Sequence, residues 1–339
     1  MKIGHLMESL GLGGGQIMMY EIANGMNKYF GDSCEAVVCG TKKESADVVY
    51  YPELINSYGV PHERVSHADL SKWCRDRKLD AVIHHRVSIS KPLRHLVPKE
   101  IPYIVVSHTA NAIKALAEFY PAADVIVSVC RNLHMKMPPF APRNCVILNG
   151  IENDFVSAIK PAELKGTFRT GRCHRMVPGK FSPDSLRWFD KVQGKLPGHV
   201  HYLVGKIKGY KPEAYRSTEY LGNILDRNRK FSVLKSLDVY FYEIFSDEGA
   251  SVAVLEALAC GVPVIARDKG GIRELVNHKT NGFIENTREG MLSKLKWLAK
   301  DRKALDSLRK SVAADFAKRL HISRVAREYL ELCQRLVLE

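Results

Sequence analysis

The sequence contains no Cys-x-x-Cys pair, no Asp-x-Asp and no uncharged run of membrane-spanning length. The first absence removes the commonest zinc and dithiol arrangements. The eight cysteines, several in apolar runs such as Val37-Val38-Cys39 and Val129-Cys130, read as reduced thiols acting as small hydrophobes. That usage suits a reducing, cytoplasmic setting. The second absence leaves out paired carboxylates that would hold a divalent ion, so no metal is expected. As for the third, Gly249–Ala266 is interrupted by Glu256, Gly261 and Pro263, and no membrane span is expected. The N-terminus carries Glu8 and no apolar core of secretory length, so no cleavable signal is expected either. Attachment to a bilayer would be peripheral.

Acidic residues are the scarcer charge, 37 against 51 basic, for a formal net charge of +14. The surplus lies mainly in the second half, where 34 basic face 23 acidic residues, compared with 17 and 14 in 1–150. Such a balance suits an anionic ligand, an anionic membrane surface or nucleic acid. No basic motif interleaved with aromatics occurs, and nucleic acid is not expected as a partner. With 45% hydrophobic and 26% charged residues over 339 positions, the chain has the composition of a globular protein of about two domains.

Short β-branched runs recur at Lys2–Met7, Ala36–Cys39, Leu79–Ile83, Tyr103–Val106, Val125–Val129 and Val146–Leu148. Amphipathic stretches such as Gln16–Phe30 separate several of them, which predicts a parallel sheet covered by helices. The pattern restarts with strands expected at Gly166–Thr170, His201–Val204, Asp238–Phe245 and Val262–Ala266. Helices are expected at Pro183–Gln193, Ser251–Cys260, Gly271–Val276 and Arg288–Leu298. The expected architecture is α/β, two doubly wound Rossmann-like domains facing a cleft. The domains are 1–150 and 151–320, and 321–339 forms a C-terminal helix that either packs back on the first domain or, with the rest of the basic segment from Asp301, closes the second as a solvated helix pair.

Gly13-Gly14-Gly15 ends the first strand and precedes a helix. It either offers N–H groups and a helix N-terminus to a phosphate or makes a tight turn needing positive φ. Gln16 replaces the third glycine of G-x-G-x-x-G, and no acidic residue ends the second strand, so a nicotinamide dinucleotide is not expected. Farther on, Glu256 is the only charge in residues 249–266. A carboxylate in such apolar company needs donors, from an internal Arg or Lys or from ligand hydroxyls. Glu248 precedes the same helix, whose opening residues are Gly249, Ala250 and Ser251. Two carboxylates flanking an anion-binding helix start would suit a nucleotide sugar.

Glu248-x7-Glu256, followed by Ala257–Ala266 and Gly270-Gly271-Ile272-Arg273-Glu274-Leu275-Val276, resembles the donor-site signature of GT-B glycosyltransferases of family 4. Gly13-Gly14-Gly15, Val105-Val106-Ser107-His108-Thr109 and Ile147-Leu148-Asn149-Gly150-Ile151 fall in that family's order. The resemblance implies a retaining, metal-independent hexosyltransferase whose donor substrate is a nucleotide-diphosphate sugar, with no cofactor. Glu256 would hold the ribose hydroxyls and Glu248 those of the transferred sugar, while Gly14 and Gly15 would close over the phosphates and His108 would lie beside the reacting sugar. Two cations would bind the diphosphate. Arg175 stands at the family's spacing before Lys180, whereas Arg172 has the family's preceding glycine; Arg175 with Lys180 is preferred. Cations there would stabilise negative charge developing on the leaving group.

The chain departs from the family where Ala250-Ser251 stands for Phe-Gly and Tyr242-Glu243 for Pro-Ser, and both changes are expected to reshape the sugar pocket. The acceptor, glycan or lipid-linked, has no motif; Lys91–Lys99 is one candidate contact with an anionic acceptor or membrane face. His84, His85 and His174 lack zinc spacing and are expected to be packed or surface residues. The competing reading is a non-catalytic relative that grips an anionic polymer or membrane through its basic second half.

Overall fold

The computed structural model describes residues 1–11, 13–41, 52–86, 93–109, 123–137, 143–174, 176, 180–206 and 215–339. Within these the chain forms two compact units, Met1–Glu152 with Leu320–Glu339, and Asn153–Arg319.

The first unit is a seven-stranded parallel sheet of β1 (Lys2–Met7), β2 (Glu35–Gly40), β3 (His62–Arg64), β4 (Ala81–Arg86), β5 (Tyr103–Ser107), β6 (Val125–Ser128) and β7 (Asn144–Val146). Their order is β3-β2-β1-β4-β5-β6-β7. The order reverses between β1 and β4, the place where open α/β sheets form a crevice beyond the carboxyl ends of their strands. On one face Leu6, Val82, Tyr103 and Val105 pack with Trp73 and Leu79 in the core.

The helix Gly14–Phe30 follows β1, and the helix Ile322–Leu338 packs against it. An added Cβ on Gly25 would lie 2.8 Å from Ile322 Cγ1, so the missing side chain permits the close approach. The C-terminal segment is therefore not a helix pair closing the second unit. The helix Arg302–Arg319 stays with the second unit, and the last helix turns its buried stripe, Ile322, Val325, Ala326, Tyr329 and Cys333, into the first.

The second unit holds a six-stranded parallel sheet of β8 (Phe168–Cys173), β9 (His199–Val204), β10 (Thr218–Tyr220), β11 (Val239–Tyr242), β12 (Val264–Ala266) and β13 (Gly282–Ile284). The order is β10-β9-β8-β11-β12-β13, with its switch point between β8 and β11. Phe168, Phe189, Val239, Phe241, Ile265 and Leu295 are among its core residues. β11 ends at Tyr242 rather than Phe245, because the chain leaves the ladder at Glu243 and turns toward the helix Val252–Ala259. No helix among the described residues is long and apolar enough to cross a membrane.

Candidate active site

Both switch points carry the residues that sequence reasoning singled out. In the first unit the loop after β1 enters its helix through Gly13, an N-cap in extended conformation with no side-chain cap. None of Gly13, Gly14 and Gly15 has positive φ, so the tight-turn expectation does not hold. The constraint at Gly13 is one of space: an added Cβ would stand 2.5 Å from Oε1 of Gln16. Gly14 is exposed and Gly15 buried.

His108 lies just past the end of β5 and is buried. Its Nε2 is 3.2 Å from His85 Nδ1, and His85 Nε2 is 3.0 Å from His5 Nδ1. Burial lowers all three imidazoles, His5 to about 3, His108 to about 4 and His85 well below its ordinary value. They are neutral at physiological pH. His84 points to the opposite face and meets the Tyr103 hydroxyl at 2.5 Å.

In the second unit, Glu248 sits in the turn between β11 and the helix Val252–Ala259, which begins one residue later than its sequence suggests. Its backbone is clamped. Gly270 has φ +58°, the Gly271 N–H donates to the Glu248 carbonyl at 2.9 Å, and a Cβ on Gly270 would come within 2.0 Å of that carbonyl. The Gly270-Gly271 pair thus allows a close backbone approach that no other residue could make.

The Glu248 carboxylate accepts a close hydrogen bond from the Tyr242 hydroxyl and forms an ion pair with Lys180. Tyr242 also contacts the Ser251 hydroxyl at 2.9 Å. Burial, then the neighbouring Glu248 charge, pushes the Tyr242 phenol well above its usual range, so it remains a donor. Gly249 and Ala250 are buried beside it.

Glu256 lies in the second turn of its helix and is 5% exposed. Its Oε1 is 2.5 Å from Lys230 Nζ. The internal cation that sequence reasoning left open is therefore present. Lys230 itself was missed, because the helix Arg227–Lys235 that carries it has a weak apolar stripe; the N-cap Asp226, accepting from Arg229 N at 2.6 Å, was its only marker.

Arg172 is the last residue but one of β8 and is 2% exposed. Its guanidinium donates to the Glu243 carbonyl at 3.1 Å and the Lys180 carbonyl at 2.9 Å, between the rings of Phe181 and Tyr242. Such an arginine braces Lys180. Arg175 lies outside the described residues, as do Lys91 and Pro92 of the Lys91–Lys99 segment.

Glu243, expected to reshape the pocket, is fully enclosed. It accepts from Ser185 at 2.7 Å and from two nitrogens of Arg288 at 3.0 and 3.1 Å, with Arg267 at 3.4 Å. It ties the end of β11 to the elements around it.

A sheet switch point with a braced lysine, a tyrosine-held carboxylate and a helix start beside them offers the cation, acceptor and N–H groups that a polyhydroxylated anion needs. Residues 211–314 match the family model described as glycosyl transferases group 1. The whole fold is GT-B, two Rossmann-like domains. HepE of Anabaena, solved with UDP, is 15% identical, with 99% of this chain and 100% of that one covered at a TM-score of 0.73. A glycosyltransferase from Rickettsia africae is 14% identical over 100% and 98% of the two chains at 0.74. The pneumococcal O-GlcNAc transferase GtfA, solved with UDP and GlcNAc, is 10% identical over 100% and 99% at 0.74. At such identities the likeness is one of fold. No curated protein matches the chain in sequence.

Proposed function

We propose that the protein transfers a hexose-type sugar from a nucleoside-diphosphate sugar to a glycan or lipid-linked acceptor, with retention of configuration and without a metal. The observation that carries this reading is the Lys180–Glu248–Tyr242 cluster at the end of β11. A ligand-free ion pair satisfies both charges, and a diphosphate sugar satisfies them separately: phosphate oxygens take Lys180, and sugar hydroxyls donate to Glu248. Tyr242 holds the carboxylate through the exchange. HepE has been solved with UDP-glucose, which supports a donor of this kind.

Breaking the bond between the anomeric carbon and the departing phosphate leaves charge on the diphosphate. Lys180 and Arg175 neutralise it there, where preorganised cations act without reorganisation. Lys230 occupies Oε1 of Glu256, and Oε2 accepts from the ribose hydroxyls. The leaving phosphate takes the acceptor's proton, so no side chain serves as base.

The test is thermal unfolding with uridine, guanosine and adenosine diphosphate sugars in the presence of chelator. One of them should stabilise the protein by about 2.7 kcal/mol at a hundredfold excess over its dissociation constant. Stabilisation by none, with binding to anionic polymer or vesicles that falls steeply with salt, would install the non-catalytic reading instead.

A further inference from the structure

His5 on β1, His85 on β4 and His108, just past the end of β5, form a diagonal across the first sheet. His5 is in register with Ile83, Ile83 with Ile104, and His85 with Val106. All three side chains therefore share a face, the one opposite Leu6 and Trp73. Each step advances two residues, about 6.6 Å, toward the carboxyl edge of the sheet at the switch point. The rings stack at centroid separations of 5.3 and 5.4 Å with interplanar angles of 22° and 19°.

A neutral imidazole carries one N–H and one lone pair, so each of the two contacts has a donor and an acceptor, and the chain as a whole has two settings. In one, every ring is protonated at Nε2. His5 then buries an N–H without a partner, since its Nε2 is enclosed and makes no hydrogen bond among the described residues. In the other, every ring is protonated at Nδ1, and His5 buries only a lone pair there. Orphaned buried donors are the rarer and costlier of the two. The second setting leaves Nδ1–H on His108, the open end of the chain, 8% exposed against 0% and 1% for His5 and His85.

We propose that His5 and His85 are positioning residues that lock His108 as its Nδ1–H form, making it a fixed neutral hydrogen-bond donor to a substrate oxygen at the carboxyl edge of the first sheet. The functional half of this rests on the glycosyl-transfer reading; the tautomer half does not. The sequence conceals the relay because its members lie 80 and 23 positions apart.

The experiment is a two-bond proton–nitrogen correlation spectrum of the full chain labelled with 15N-histidine, at neutral pH and without substrate. Peaks are assigned through His5→Phe and His85→Phe. All three rings should show protonated Nδ1 and lone-pair Nε2; a protonated Nε2 on His108 overturns the proposal. In His85→Phe the His108 ring should lose its single form. Turnover of the nucleotide-diphosphate sugar that best stabilises the protein should then fall about tenfold in kcat, the worth of one hydrogen bond, with KM changed less than twofold. His85→Asn, whose amide nitrogen replaces Nδ1, should recover most of it. The expected spectrum with unchanged kcat in His85→Phe overturns the positioning role. Failure of every nucleotide sugar to stabilise the wild type strikes the glycosyl-transfer reading, and the spectrum still decides the relay.

Discussion

Lys180 and Glu248 are ion-paired, and a different residue governs each partner: Arg172 holds the Lys180 carbonyl, and Tyr242 holds the Glu248 carboxylate. The Lys180 side chain is 38% exposed, so the pair adds little net stability and its value lies in placement. Lys180→Ala should lower kcat by about a hundredfold or more, the loss typical of one charge-stabilising donor, and should also lower the unfolding midpoint, because it leaves the Glu248 carboxylate, 10% exposed, without its cation. Glu248→Gln should also lose transfer. Turnover near wild type in either variant would remove that residue from the reaction.

The Glu256–Lys230 pair is the more enclosed of the two. Its side chains are 6% and 14% exposed, so removing one partner leaves a largely buried charge. Glu256→Ala should cost about 3 kcal/mol of stability as well as nucleotide binding. The double replacement Glu256→Leu with Lys230→Met should restore stability, because it removes both charges, yet still fail to bind nucleotide. Recovered nucleotide binding in the double variant would show that Glu256 serves only its internal pair.

Arg172 and Arg175 should separate by what they damage. Arg172→Met strips donors from two carbonyls inside the unit and should lower stability by about 2–4 kcal/mol. Arg175→Ala should leave stability unchanged and reduce transfer more than Arg172→Met does, measured well below both melting temperatures. The reverse order in kcat would make Arg172 the diphosphate ligand.

The buried histidines set the acid limit. Burial lowers His5 and, with Arg86 adding to it, His84 to about 3, and His108 and His199 to about 4; His85 and His201 are also lowered well below the ordinary value. Below about pH 6.5 the unfolded chain binds protons that the native state refuses. Stability is therefore fully present above that pH and is lost as pH falls toward 4, by about 1.4 kcal/mol per pH unit for each such histidine. Urea midpoints at pH 7, 6 and 5 measure this. A flat profile would mean that these rings take up protons in the native state as readily as in the unfolded chain.

The alternation of β-branched runs with amphipathic segments was enough to read both sheets, since strands buried on two faces leave a continuous apolar signature. What escaped were the three-residue edge strands β3, β10 and β13, too short for any periodicity, and the helix carrying Lys230. Glu256 stood out because a carboxylate in an apolar helix is an anomaly in one dimension, and Glu248 because it precedes that helix; Lys180 was marked only by the family's spacing from Arg175. Arg172 and Glu243 stood out only against the family's pattern, and burial shows that they brace the second unit from within. The three-histidine diagonal exists only after strand register is known.

Gly25 gives a test of how the last helix joins the first unit, because two effects of known size oppose each other there. Gly25→Ala should gain about 1 kcal/mol in helix propensity. The new methyl would meet Ile322 Cγ1 at 2.8 Å and Ala326 Cβ at 3.2 Å, and overpacking of this kind costs about 1–3 kcal/mol. The net change should be destabilising. Trimming the obstacle with Ile322→Ala costs stability by itself, but in that background Gly25→Ala should be clearly less destabilising, since the 2.8 Å contact is gone and only the 3.2 Å approach to Ala326 Cβ opposes the propensity gain. A coupling energy of about 1 kcal/mol or more between the two substitutions, read from denaturant midpoints, is the expected result. Additive effects would mean that the terminal helix does not rest on Gly25.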